Sequence, residues 1–152
     1  MFFRTHLLIT IFFALLIFPV LNDKILFLAV SIIATAIPDI DSRFSKLGKM
    51  KILRFLQFFT KHRGIIHSFT FLFFISIILI VFFRETAFPF AFGYSLHLIT
   101  DGFTLTGIKP FYPLKTKMKG QIKTGGIAET IIFVCFLLGD LFLIFIRFFS
   151  IL

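Results

Sequence analysis

The chain has 152 residues, of which 59% are hydrophobic, and its mean hydropathy is +1.05. Apolar residues make up roughly half of a typical soluble domain, so this composition excludes that class and predicts one membrane-embedded domain over residues 1–152. The formal net charge of +9 would favour a nucleic-acid partner in a soluble protein, but basic loops fix orientation in a bilayer, so no such partner is expected.

Five apolar segments follow one another along the chain, and each predicts a helix. They comprise residues 7–21, 25–38, 65–83, 87–100 and 127–149. Only the third and the fifth reach the ~20 residues of a full membrane span. The sequence therefore predicts an all-α fold, an integral membrane helical bundle of about five short transmembrane helices.

The basic segment at 42–60 also carries apolar side chains in a helix-like pattern. They are Ile52, Leu53, Phe55, Leu56, Phe58 and Phe59. This pattern predicts one amphipathic interfacial helix whose Lys and Arg side chains lie near lipid phosphates. A packed cytoplasmic linker helix is the equally weighted alternative.

Basic residues are distributed unevenly between the two sides of the membrane that this helix order defines. With the N-terminus inside, thirteen of the 16 lie on the cytoplasmic side, and only Lys24, Arg84 and Arg147 lie outside. Positive residues favour the cytoplasmic side of a membrane protein. We therefore expect a multi-pass protein of the cell membrane with a cytoplasmic N-terminus.

This topology brings potential metal ligands to one membrane face, because every predicted helix has a histidine or an acid at that end. They are His6, Asp39, Asp41, His62, His67, His97, Asp101 and Glu129. His97 and Asp101 are four residues apart, a spacing that places both on one face of a helix. The pair can therefore approach the same ion or two neighbouring ions.

The motif PDID at 38–41 carries two of these acids. Because proline does not easily continue a helix, we predict an extended turn in which Asp39 and Asp41 point the same way. Two carboxylates so close repel each other unless a cation or a proton lies between them.

The motif HRGIIHS at 62–68 carries two of the histidines. Gly64 permits a bend through which His62 and His67 can converge. Arg63 offers a planar guanidinium suited to phosphate or carboxylate. Neutral imidazoles and carboxylates in one layer favour Zn²⁺ or a similar divalent ion.

Several motifs occur in a fixed order along most of the chain. They are Thr5-His6, PDID at 38–41, HRGIIHS at 62–68, GYSLHLITD at 93–101, Gly107, Pro110 and GIAE at 126–129. Together they resemble the YdjM-like membrane-bound metal-dependent hydrolases. One departure is Ile66, where that family's pattern usually has Thr, so a hydroxyl group near His67 is missing.

The residue pattern and the resemblance together indicate one or two divalent ions, with Zn²⁺ as the expected metal. The expected ligands are His6, Asp39, Asp41, His67, His97 and Asp101. Either His62 or Glu129 is expected to transfer a proton in catalysis, or instead to orient a ligand. Arg63 is expected to attract phosphate.

The expected function is that of a metal-dependent hydrolase acting at the cytoplasmic membrane surface, with membrane lipids as partners. A phosphoester such as a phospholipid headgroup linkage is the expected substrate, because the site lies at headgroup level. One alternative is a non-catalytic membrane protein in which a structural metal or a His and Asp cluster holds the helices together. Another is a small transporter, which Asp140 within the last apolar segment suggests.

Overall fold

The computed structural model describes residues 1–41 and 64–149, and the predicted amphipathic helix at 42–60 lies outside them. The described residues form five α-helices and no β-strand, which confirms the all-α prediction. The helices are α1 (Phe3–Ile17), α2 (Lys24–Ala36), α3 (Phe69–Phe82), α4 (Arg84–Gly102) and α5 (Ile127–Phe149). Each of them lies in one of the five predicted apolar segments, with ends shifted by a few residues.

Two stretches of the described chain are long and apolar enough to cross a membrane. They are Phe3–Val20, which is α1 with a short 3₁₀ extension, and Ile127–Arg147 in α5. The prediction of about five spans is thus not confirmed. Only 11% of the α5 span is buried inside the protein, so its apolar side chains need another apolar medium around them.

The third helix is shorter than the sequence predicts, with 14 residues. Residues 64–68 form turns rather than a first helical turn. Ser68 ends them, because its side chain accepts the backbone N–H of Phe71 and so caps α3 at Phe69. The turns leave His67 beside the helix start instead of within the helix.

Helix α4 lies at the centre of the bundle, in contact with α1, α2 and α3, and α5 packs against α1. Six residues form the buried core: Ala34, Leu72, Phe90, Tyr94, Leu98 and Ile108. Helices α2 and α4 approach closely at Gly93, where an added Cβ would lie 2.1 Å from the carbonyl oxygen of Ser31. Only glycine fits that crossing.

The chain after α4 folds back over the same end of the bundle. Ile108 and Met118 exchange backbone hydrogen bonds of 2.8 and 2.9 Å. Gly107 turns the chain there with a φ of 62°, and a Cβ on it would meet the carbonyl oxygen of Met118 at 2.1 Å. Pro110 accepts the N–H of Phe69 at 2.8 Å, so this segment is joined to the start of α3.

Asp140 is buried in α5 with 4% of its surface exposed. Neither of its carboxylate oxygens has a hydrogen-bond partner among the residues that the structure describes. An acid in a membrane span is a candidate functional residue. No second acid or histidine of the described chain joins it in a candidate metal group, so the transporter alternative stays a prediction.

Candidate metal centre

The last turns of α4 carry the pair that the spacing places on one helix face. His97 Nε2 lies 4.0 Å from Asp101 Oδ2. Both residues are buried, with 0% and 2% of their surface exposed. A buried carboxylate is costly unless a partner or a metal compensates its charge. This pair is therefore the first part of the candidate metal centre.

His6 reaches the same carboxylate from α1. Its Nε2 atom lies 3.2 Å from Asp101 Oδ1. Its ring stacks on that of His97, with 4.0 Å between the ring centroids and 18° between the planes. Two helices that are distant in sequence thus bring their imidazoles face to face beside one acid.

His67 approaches from the turns before α3, and its Nε2 atom lies 3.9 Å from Asp101 Oδ2. The turns are held from both sides. Tyr94 donates its hydroxyl to the Ile66 carbonyl at 2.5 Å, and Ser68 donates its hydroxyl to the Ile65 carbonyl at 2.5 Å. The Ile66 carbonyl thus joins the segment that carries His67 to α4.

Asp39 enters from a 3₁₀ helix, Pro38–Asp41, which follows α2. The prediction of an extended turn is wrong, because the fixed φ of proline suits the first position of a helical turn as well as an extended one. With about three residues per turn, positions two apart do not share a face. The Asp41 side chain, a predicted ligand, lies outside the described residues.

The environment of the Asp39 carboxyl resists a second negative charge. Burial raises the pKa of Asp39 above its ordinary value, and the nearby Asp101 carboxylate raises it further, although His6 and His67 oppose the rise. A divalent cation would remove this conflict by compensating both carboxylates.

The five side chains form two groups that can each hold a metal ion. One consists of His6, His97 and Asp101, and the other of Asp39, His67 and His97. In each group the potential ligand atoms all lie within 4.8 Å of one another. His97 belongs to both groups, so it lies at the centre of the whole cluster.

The hydrogen bonds of Nδ1 in His97 and His6 bear on whether Nε2 of each ring can bind a metal. His97 Nδ1 lies 2.9 Å from the carbonyl oxygen of Thr35, which can only accept, so Nδ1 carries the proton. The Thr100 hydroxyl donates to the carbonyls of Leu96 at 2.7 Å and His97 at 3.0 Å. When this single proton points to a carbonyl, the Thr100 oxygen accepts the proton of His6 Nδ1, 2.7 Å away, and this is the tautomer that a metal on His6 Nε2 requires.

In these tautomers Nε2 of each ring carries a lone pair. Neither Nε2 atom has a hydrogen-bond partner in the part of the chain that the structure describes. The 3.2 Å contact between His6 Nε2 and Asp101 Oδ1 then joins two acceptors. Buried acceptors in this arrangement need a cation, so the donor set fits a divalent ion.

Thr100→Val tests this support, because it keeps the size of the side chain and removes the acceptor of His6 Nδ1. We expect metal affinity to fall about 10- to 100-fold, the usual effect of losing such a partner. Titration of the purified protein with Zn²⁺ in competition with a chelator measures it.

Thr130→Val is the matched control for that change. Its hydroxyl also donates to a carbonyl four residues earlier, that of Gly126 at 3.2 Å, but on the exposed surface of α5. We expect wild-type affinity in this variant. Equal affinities in both variants would contradict the assigned role of Thr100.

Glu129, predicted to transfer a proton, has three hydrogen-bond donors of its own. Its Oε1 atom accepts from the N–H of Phe2 at 2.5 Å and from the hydroxyl of Thr5 at 3.0 Å. Its Oε2 atom accepts from the N–H of Gly125 at 2.6 Å. These bonds fix the start of α1 and so position His6, while the catalytic role stays a prediction.

Two further predicted catalytic residues, His62 and Arg63, lie outside the described residues. Sequence reasoning missed Thr35 and Thr100, which orient the imidazoles, although hydroxyl groups inside apolar helices are a usable signal. It also missed the N-terminal ammonium of Met1, which lies 2.5 Å from Asp101 Oδ1. That positive group forms an ion pair with the carboxylate.

Comparison with known proteins decides the family. A family model described as YdjM inner membrane protein matches residues 1–149. The chain belongs to the YdjM inner membrane protein family. No curated protein and no solved structure matches it. Membership in YdjM agrees with the exposed apolar surface of α5 and makes this chain a membrane protein of an inner-membrane family.

Proposed function

We propose that this YdjM protein is a membrane-bound hydrolase that uses one or two divalent ions, with Zn²⁺ as the expected metal, to cleave a phosphoester at the cytoplasmic membrane surface. The observation that carries the proposal is the pair of buried Nε2 atoms, of His6 and His97, that have no hydrogen-bond partner among the described residues and lie beside the Asp101 carboxylate. Buried polar groups without partners are costly, so a bundle held together only by apolar packing is not expected to contain these side chains.

The proposed ligands are the two groups that share His97: His6, His97 and Asp101, or Asp39, His67 and His97. Only Nε2 of His97 has a free lone pair, so His97 binds one ion, and a second ion would be held by the remaining side chains of the other group. When bound, a divalent ion lowers the pKa of water toward neutrality and neutralises charge on a phosphoryl oxygen. Imidazole and carboxylate together suit Zn²⁺ among the common metals.

The contribution of the protein is to hold these groups in place before substrate arrives. Thr35 and Thr100 orient two imidazoles, and Glu129 holds the helix that carries His6. Preorganised groups of this kind lower the cost of reaching the reactive geometry. His62 and Arg63 are proposed to transfer a proton and to bind phosphate, respectively.

The substrate class is proposed from the charge around the centre. Four lysines, Lys115, Lys117, Lys119 and Lys123, are exposed in the segment that folds back over this end of the bundle. Lysine attracts phosphate as a point charge, and anionic headgroups concentrate at a membrane surface. A phospholipid headgroup linkage fits both conditions.

The orientation is part of the same proposal. With a cytoplasmic N-terminus, the start of α1 and the end of α4 lie at the inner surface, together with thirteen of the 16 basic residues. Helices α2 and α3, with 13 and 14 residues, are shorter than a typical span, so they would cross a thinned bilayer or lie partly within it.

The test compares wild type with Asp101→Ala, and with Glu85→Ala as a matched control. Glu85 is an exposed acid on the same helix, far from the cluster in sequence. Protein purified in detergent is assayed for bound metal and for hydrolysis of a phosphodiester and of phospholipids. We expect Asp101→Ala to lose metal and activity together, and Glu85→Ala to keep both.

A structural metal is the second candidate, because the ligands are deeply buried: His6, His67, His97 and Asp101 each have at most 2% of their surface exposed. A closed site with four protein ligands has no position for substrate. Bound metal with no hydrolysis of any phosphoester, in protein that keeps its fold, would favour this candidate over the hydrolase.

A further inference from the structure

An apolar cavity of about 300 Å³ lies beside the metal centre. Its walls come from α1, α4, α5 and the segment after α4, including Ile9, Phe13, Ile99, Phe103, Ile132 and Phe136. The walls are apolar except at Thr100, whose hydroxyl is already bonded to backbone carbonyls and to His6. Water would find no free partner in it, and apolar cavities of this kind accept apolar molecules.

The cavity and the metal centre share two residues of their walls. Thr100 lines the cavity and accepts the hydrogen bond of His6 Nδ1. Met1 also lines it, and its ammonium group contacts Asp101. A molecule that fills the cavity therefore has one end next to the cluster of ligands.

The cavity is deep on one side and open on the other. Ile9 has 4% of its surface exposed, whereas Phe13, Ile99 and Phe103 have 38%, 39% and 52%. Ile132 and Phe136 in this lining belong to α5, one of the two helices able to span the membrane. An apolar opening beside a membrane-spanning helix is accessible to lipid hydrocarbon.

We propose that the cavity binds one hydrocarbon chain of the lipid whose phosphoester reaches the metal centre, a conclusion that rests on the proposed function. At ~30 Å³ for a water-sized group such as a methylene, the volume suits about ten such groups, part of a single acyl chain. A lipid in the surrounding bilayer enters from the side, and its headgroup then lies at the level of the exposed lysines. The enzyme thereby selects lipid phosphoesters over water-soluble ones.

The test uses the full-length protein in phosphatidylglycerol vesicles with a phospholipid that carries a photoreactive diazirine near the end of one acyl chain. After irradiation, mass spectrometry locates the labelled residues. We expect label on Ile9, which bulk lipid does not reach, and on exposed Leu138. Leu72, buried in the core away from the cavity, stays unlabelled.

Two tryptophan variants of α5 separate entry into the cavity from general contact with lipid. Ile132→Trp fills the cavity, so we expect Ile9 labelling to fall to background while Leu138 labelling remains. Ile131→Trp makes the same change on the exposed face of the helix and leaves Ile9 labelled. Labelled Leu138 and unlabelled Leu72 show that each variant is folded.

An unlabelled Ile9 in the wild type, with Leu138 labelled, would overturn the inference, because it would mean that no acyl chain enters the cavity. Equal Ile9 labelling in Ile132→Trp would overturn it too. Labelling needs no turnover, so label on Ile9 without any hydrolysis rejects the proposed function and keeps the cavity as a lipid site. Hydrolysis with Ile9 unlabelled rejects the cavity as a lipid site and keeps the proposed function.

Discussion

Replacement of His97 with asparagine is expected to remove bound metal from the whole cluster, because His97 is the one residue common to both ligand groups. The asparagine amide nitrogen takes the position of Nδ1 and can still donate to the Thr35 carbonyl, whereas the Nε2 lone pair is lost. We expect affinity to fall about 100-fold or more, since a structural zinc site gains several kcal/mol from each ligand. Elemental analysis and Zn²⁺ titration measure the effect.

Asp39→Asn is the companion variant, because Asp39 belongs to only one group. The group of His6, His97 and Asp101 is complete in this variant, so we expect it to keep a bound ion, whereas His97→Asn lacks a ligand of either group. Wild-type metal content in His97→Asn, with an unchanged circular dichroism spectrum, would contradict the ligand set.

Gly93→Ala is expected to be strongly destabilising, because the new methyl group would overlap the Ser31 carbonyl of α2. We expect the free energy of unfolding to fall by about 3 kcal/mol, the upper end for overpacking, since both sides of the clash are backbone. Bound metal should fall with it, because the separation of α2 from α4 breaks the bond between Thr35 and His97. Thermal unfolding in detergent and metal content measure the two effects.

Gly102→Ala gives the matched comparison on the same helix. There the added methyl group would meet Met118 Cε at 2.9 Å, the free end of a flexible side chain that can move aside. Alanine also favours a helix over glycine by up to ~1 kcal/mol. We expect near wild-type stability, and similar losses in both variants would reject the backbone clash as the cause.

The sequence predicts the parts of this protein that depend on local spacing. The 3.6-residue period places His97 and Asp101 on one face, and five apolar segments contain the five helices. Loop charge and the ordered motifs also predict that His6 and His67 join that acid, and both do lie beside it.

Two kinds of feature could not be predicted in the same way: the backbone conformation of short turns, and contacts between distant segments. The 3₁₀ turn at Asp39 and the capping of α3 by Ser68 depend on choices between backbone conformations that are close in energy. The orientation of His97 depends on the Thr35 carbonyl, 62 residues away, and no local pattern encodes that bond. The predicted number of about five spans is not confirmed, because apolar length alone does not locate helix ends.

The three hydrogen bonds of Glu129 have a consequence for the order of assembly during synthesis. Thr5 and Glu129 are 124 residues apart, so a ribosome that adds ~5–20 residues per second needs roughly 6 to 25 s between them. Until the first turn of α5 has been synthesised, Phe2 and Thr5 lack the Glu129 carboxylate as their hydrogen-bond acceptor. The start of α1, and with it His6, is then not held against the other ligands. The metal centre is therefore completed only after Glu129 has been synthesised, and nascent chains that end before Glu129 are not expected to retain the ion.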